Sequence, residues 1–198
     1  MPLLSDRAGR TSEVVVLPAS TEDSTKAAPG LLRIGLLLAC GSIAILFGSL
    51  VFAYYWRKTE PGVWDQIALP KTLWISTTII LASSVVFEVA RRAYARGEHE
   101  RAQRLFIATG AMGFGFLISQ AKAWLDLIHA GVYLVQNPYS SFFYLFTGLH
   151  AAHLAGGLAG LGVVMFGKRR RRELVDVAAY YWHFLGLLWI ALFFVVSH

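Results

Sequence analysis

The sequence predicts an all-α polytopic membrane protein with five transmembrane helices, the N-terminus cytoplasmic and the C-terminus outside. Three observations predict it. Of the 198 residues, 56% are hydrophobic and 15% charged, against about 45–50% and about 25% in soluble domains; one soluble core of this size could not bury such an excess. The excess is gathered into five stretches of at least about 20 residues, each able to cross a hydrocarbon core of roughly 30 Å at about 1.5 Å per residue. Basic residues, finally, crowd into alternate connections between those stretches.

Residues 1–30 come first and differ from the rest. They are rich in Ser, Thr, Ala and acidic residues, and their one apolar run is Val14 to Leu17. A secretory signal needs a basic start and roughly 7–15 apolar residues, so the segment reads as a disordered cytoplasmic tail. The membrane domain, 31–198, holds stretches at about 31–55, 69–90, 105–130, 142–166 and 177–197. Charges inside them are few: Arg33, Lys71, Glu88, Lys122 and Asp126. Lipid offers the backbone no hydrogen-bond partner, so each stretch must be helical. The connections, at roughly 10–14 residues each by the same helix-length arithmetic, leave no space for a soluble domain.

Orientation follows from charge. All of the 18 Lys and Arg except Arg57, Lys58, Lys71 and Lys122 fall in the tail and first helix start, the second loop and the fourth loop. The positive-inside rule places that side in the cytoplasm. The run Lys168-Arg169-Arg170-Arg171-Arg172 is then a topology anchor beside anionic lipid, and the net charge of +6 marks no nucleic-acid partner.

Chemistry-bearing groups are sparse. The single cysteine, Cys40, excludes a disulfide framework, a cysteine zinc site and covalent CxxCH haem attachment. A bis-histidine haem needs two imidazoles at one depth on different helices. His150 and His153 lie near mid-membrane on the fourth helix, whereas His183 is displaced from their level by roughly 10 Å. These histidines read as buried polar groups hydrogen-bonded to neighbouring helices. Glu88 precedes Arg91 and Arg92 at i+3 and i+4, the spacing of an interfacial ion pair. Lys122 and Asp126 are spaced i, i+4 and can neutralise each other, with Gln120 one turn deeper; they can face a partner or a water-filled cleft. Ala152, Gly156 and Gly160 form a four-residue repeat of small side chains suited to close helix packing. Tyr54-Tyr55-Trp56 and Tyr180-Tyr181-Trp182 suit the aromatic belts at the two interfaces. No glycine-rich phosphate loop and no paired intramembrane carboxylates occur.

The segment from Pro138 through Ser140-Ser141-Phe142-Phe143 to Thr147-Gly148-Leu149-His150-Ala151-Ala152-His153, followed by small residues, resembles subunit III of the haem–copper oxidases. So does Tyr181-Trp182-His183-Phe184 with Trp189 and Phe193-Phe194 behind it, and so does Leu69-Pro70 to Ser83-Ser84. The resemblance covers about residues 31–198 and matches the family's short, five-helix form. It implies a subunit without catalytic, cofactor-binding or metal residues, packed against a catalytic subunit I and beside a subunit II that carry haem and copper. It also implies bound phospholipid, support for proton uptake, and residence in a bacterial-type inner membrane. On this reading His150, His153, Trp182, His183, Gln120, Lys122 and Asp126 are structural groups or contacts to lipid and subunits. Two positions depart from the family: Ile43 stands where a membrane glutamate is usual, beside the retained Ser42, and Lys122 falls in a stretch that is usually Q-x-Y-E-Y-like. Two alternatives stay open at this point, a subunit III homologue of a quinol oxidase or nitric oxide reductase, and a small haem-b membrane cytochrome.

Overall fold

The computed structural model describes residues 30–60, 69–135, 137–167 and 171–197. The expected tail (but for Gly30), the basic residues 168–170 and His198 lie outside the described residues. Among the described residues five helices follow in order: α1 Leu31–Lys58, α2 Thr72–Ala95, α3 His99–His129, α4 Pro138–Phe166 and α5 Arg172–Ser197. All five are long and apolar enough to cross a membrane.

Most helices overrun the apolar stretch that announces them, taking in polar residues such as Arg91, Arg92 and Glu173, because backbone hydrogen bonding does not depend on the side chain's polarity. Capping chemistry sets the start of α4 four residues earlier than the apolar pattern suggests. The Asn137 side chain accepts from the Ser140 backbone N–H at 2.8 Å, Ser140 Oγ accepts from the Asn137 N–H at 3.3 Å, and Pro138 occupies the first turn. The connection between α2 and α3 is much shorter than expected, only residues 96–98. Gly97 makes this possible at φ +82°, a left-handed conformation that costs glycine little. Glu98 then closes the turn, accepting from Arg96 Nε at 2.6 Å and from Arg101 Nη1 at 3.0 Å.

Four helices form a closed ring. α2 lies along α3, α3 against α4, α4 against α5, and α5 returns to α2. α1 stands apart: none of its described Cα atoms comes within 8 Å of another helix. Bulky rings bridge the gap to α4, with Phe47 meeting His153 edge-on at 5.7 Å and Tyr54 meeting Phe142 and Phe146 at 5.7 and 6.0 Å between centroids.

The centre of the ring is organised by Trp182 of α5, which is 1% exposed. Its indole donates to Ser83 Oγ of α2 at 3.0 Å and meets Phe87 edge-on at 5.8 Å. On α3 it occupies the space over Gly113, where an added Cβ would come within 2.6 Å of the indole; on α4 it lies over Gly157. Two expectations are corrected here. Trp182 and Tyr54 are buried in the bundle, leaving Tyr55, Trp56 and Tyr180 on the surface, because a ring at a core position gains more from packing than from the interface. Close packing on α4 also runs through Gly157 rather than through the Ala152, Gly156, Gly160 repeat. A Cβ at Gly156 or Gly160 would meet nothing within 4 Å, and Ala152 is exposed.

Gly113→Ala must displace the Trp182 indole and is expected to lower stability by roughly 1–3 kcal/mol, read as thermal unfolding in detergent; Gly156→Ala should show no such loss. The hydrogen bonds from Arg96 and Arg101 hold the Glu98 carboxyl below its ordinary value of 4.5. A lowered folded-state pKa contributes stability above the unfolded value and loses it as pH falls through the folded one. A carbon-13 titration of Glu98 should therefore give a midpoint below 4.5.

Candidate functional site

Of the residues singled out by sequence, His150 and Gln120 belong to one polar level of the bundle and Glu88 and His183 to another. The first is a layer across all four ring helices. Trp189 of α5 donates its indole N–H to Thr77 Oγ1 of α2 at 3.0 Å and meets Phe116 of α3 edge-on at 4.9 Å. His150 of α4 packs against both rings, 5.1 Å from Trp189 and 5.6 Å from Phe116. Ser76 and Ser119 hydrogen-bond at 2.7 Å, joining α2 to α3. Trp124 of α3 donates to Thr147 Oγ1 of α4 at 3.0 Å. Gln120 lies in this layer too, 1% exposed. His150 is fully buried, yet neither its ring nitrogens nor the Gln120 amide atoms have a hydrogen-bond partner in the protein. The bonds to neighbouring helices expected for His150 are thus not made to protein groups.

The second level is a charged cluster where α2 ends and α5 begins. Arg91 forks onto Glu88 with Nε and Nη2 at 2.8 and 2.9 Å, and Arg92 Nε reaches the same carboxylate at 2.8 Å. These are the pairs predicted from the i+3 and i+4 spacing. Arg91 also donates to Asp176 of α5 at 3.1 Å and lies over the Tyr180 ring at 5.9 Å. His183 Nε2 stands 3.6 Å from Glu88 Oε2. The fork geometry matters because bidentate arginine–carboxylate pairs fix orientation as well as charge. Sequence reading missed Asp176, although Asp176, Tyr180 and His183 share one helix face by their i, i+4, i+7 spacing.

The remaining residues lie elsewhere. His153 turns away from the core towards α1, with Nδ1 2.7 Å from the Leu149 carbonyl of its own helix. Tyr181 donates to the His153 carbonyl at 3.3 Å, which ties α5 to α4 through the backbone. Ile43 is 8% exposed and sits one turn from Phe47, so an aliphatic side chain is buried where the resemblance expects a carboxylate. Lys122 and Asp126 are both exposed and do not pair. Asp126 instead accepts from Thr72 Oγ1 of α2 at 3.4 Å, since the tight α2–α3 hairpin brings that hydroxyl within reach. Among the described residues no three His, Cys, Asp or Glu side chains gather at metal-binding distance. His150 and His183 are not brought together: Trp189, the neighbour of His150, lies six residues beyond His183, about 9 Å along α5.

On the outside, a groove of about 820 Å³ runs between α1 and α4, lined by Phe52, Trp56 and Phe142 with Arg57 and Glu60 at its rim. Arg57 and Glu60 form an ion pair across one helical turn.

The family model for cytochrome c oxidase subunit III matches residues 13–198. A protein of Mycobacterium tuberculosis (strain ATCC 25618 / H37Rv), named "Probable cytochrome c oxidase subunit 3", is 30% identical over 180 residues, covering 85% of this chain and 88% of that protein. The cytochrome c oxidase subunit 3 of Corynebacterium diphtheriae is 29% identical over 182 residues, with 85% and 88% covered. That of Thermostichus vulcanus is 31% identical over 170 residues, with 81% and 83% covered.

Arg91→Gln removes the fork on Glu88 and the link to Asp176 together. Hydrogen bonds to charged groups contribute about 1.5–3 kcal/mol, so this variant should melt at clearly lower temperature in detergent. Asp176→Asn, which leaves the fork intact, should lose less.

Proposed function

The chain belongs to the cytochrome c oxidase subunit III family and is a subunit III of a haem–copper oxidase, and on that premise we propose that it acts as a non-redox scaffold for the catalytic subunit. It packs against subunit I, beside subunit II, and stabilises them and their surrounding phospholipid while the haem and copper in those partners reduce oxygen. The family itself is a non-catalytic subunit, and the protein is a multi-pass membrane protein. The membrane is of the bacterial inner type, with the basic end of the bundle in the cytoplasm and the C-terminus outside.

One observation supports the scaffold reading above the others. The motif residues are taken up in holding helices to helices: Trp182 and Trp189 tether α5 to α2, and His183 borders the Glu88–Arg91–Asp176 cluster between those same helices. A chain arranged this way transmits rigidity to a neighbour. Two outer surfaces suit that neighbour. Ala152, Gly156 and Gly160 open a small-residue face on α4 that a helix of the catalytic subunit can approach closely. Lys122, exposed near the end of α3, suits a lipid phosphate or an acidic partner group, with Asp126 beside it. The groove between α1 and α4 accepts an acyl chain, with the Arg57–Glu60 pair at headgroup level.

Affinity purification of the tagged chain from its native membrane should recover a haem-bearing catalytic subunit; recovery of the chain alone would overturn the reading. The double variant Gly156→Leu, Gly160→Leu should weaken that association by roughly 1–3 kcal/mol, the cost of overpacking a close contact, while the melting temperature of the isolated chain stays unchanged. Both are measured on one preparation, by subunit yield and by thermal unfolding.

A further inference from the structure

The polar layer leaves four buried hydrogen-bonding atoms without protein partners, and all four belong to two residues on adjacent helices. They are the two ring nitrogens of His150 on α4 and the amide oxygen and nitrogen of Gln120 on α3. Register puts the pair at one level. α3 and α4 run antiparallel; Trp124 bonds to Thr147, and Phe116 meets the His150 ring at 5.6 Å. Gln120 lies one turn from each of those α3 residues, between the two rungs. The other polar groups of the layer are already satisfied, since Trp189 donates to Thr77, Ser76 pairs with Ser119, and Thr147 bonds the Phe143 carbonyl.

Buried polar groups in folded proteins almost always find a partner, and where no protein group serves, an ordered water making about three hydrogen bonds does. We propose that Gln120 and His150 together hold one buried water molecule that bridges α3 and α4. The donor and acceptor balance suits it. The amide offers two N–H donors and a carbonyl acceptor, a neutral imidazole offers one donor and one acceptor, and water both gives and takes. The charged side chains on that stretch of α3, Lys122 and Asp126, are exposed on the outer face, so the layer carries no charge that would call for an ion. The water belongs to this chain's own interior and does not depend on which oxidase the chain serves.

The test is a density map of the intact complex at about 2 Å, with ordered solvent visible. A peak within hydrogen-bond distance of both the Gln120 amide and the His150 ring is expected. A direct amide–imidazole bond, or a dry contact between the two, overturns the proposal. A second measurement needs no map. Gln120→Leu and His150→Leu, singly and combined, are compared by the temperature at which the complex releases this subunit. Each single variant strands the other residue's polar atoms, so the double variant should lose less than the sum of the two singles; strictly additive losses count against a shared water.

Discussion

The bundle depends on one contact, the seating of the Trp182 indole against two bare helix backbones. The indole fills the space a side chain would take at Gly113 and lies over Gly157, while its N–H is held by Ser83. Three helices therefore converge on a single ring carried by the fourth. In lipid there is no hydrophobic force to press helices together, so association rests on close packing and on side-chain hydrogen bonds across the interface. Trp182 supplies both at once. Add a side chain at Gly113 and the indole must move; add one at Gly157 and Leu185 and Tyr181 beside the indole must give; remove Ser83 and a buried N–H is left without an acceptor.

The same device recurs along α5. Trp189 lies seven residues further on, two turns along the same face, and its indole is held by Thr77 on α2 while Phe116 and His150 close around the ring. Near the end of the helix, Tyr139 of α4 donates to the Val196 carbonyl at 2.6 Å. At its start, Asp176 takes a hydrogen bond from Arg91. α5 is thus fastened to α2 by two indoles and by charge, and to α4 by the phenols of Tyr139 and Tyr181. α1 is held differently, and none of its described Cα atoms comes within 8 Å of another helix. Ring-to-ring contacts hold it at a distance from α4, which leaves the long groove between them and makes α1 the part of the chain most open to lipid or to another subunit.

Much of this was legible beforehand for definite reasons. Five spans follow from length and apolarity, because the bilayer imposes both. The Glu88 pair with Arg91 and Arg92 follows from spacing, because residues three and four apart on one helix must be neighbours. Expectations failed where the outcome depends on which way a helix is rotated. Tyr54 and Trp182 carry the composition of an interfacial belt yet point inward. The Ala152, Gly156, Gly160 repeat has the spacing of a packing stripe, yet Gly157, one residue along, is the position that packs. Lys122 and Asp126 have pairing geometry, but Thr72 of the neighbouring helix reaches Asp126 instead.

The sequence by itself determined the number of helices, the sites of the charged ends and the family, since these rest on properties carried along the chain: hydropathy, local spacing and motif. The tertiary structure alone decided which glycine receives Trp182, which acceptors the two indoles find, and that α1 stands off from the ring. The physical reason is that each of these depends on the rotation of one helix relative to another. A turn of 100° exchanges a buried position for an exposed one, and only packing against the neighbouring helices selects it.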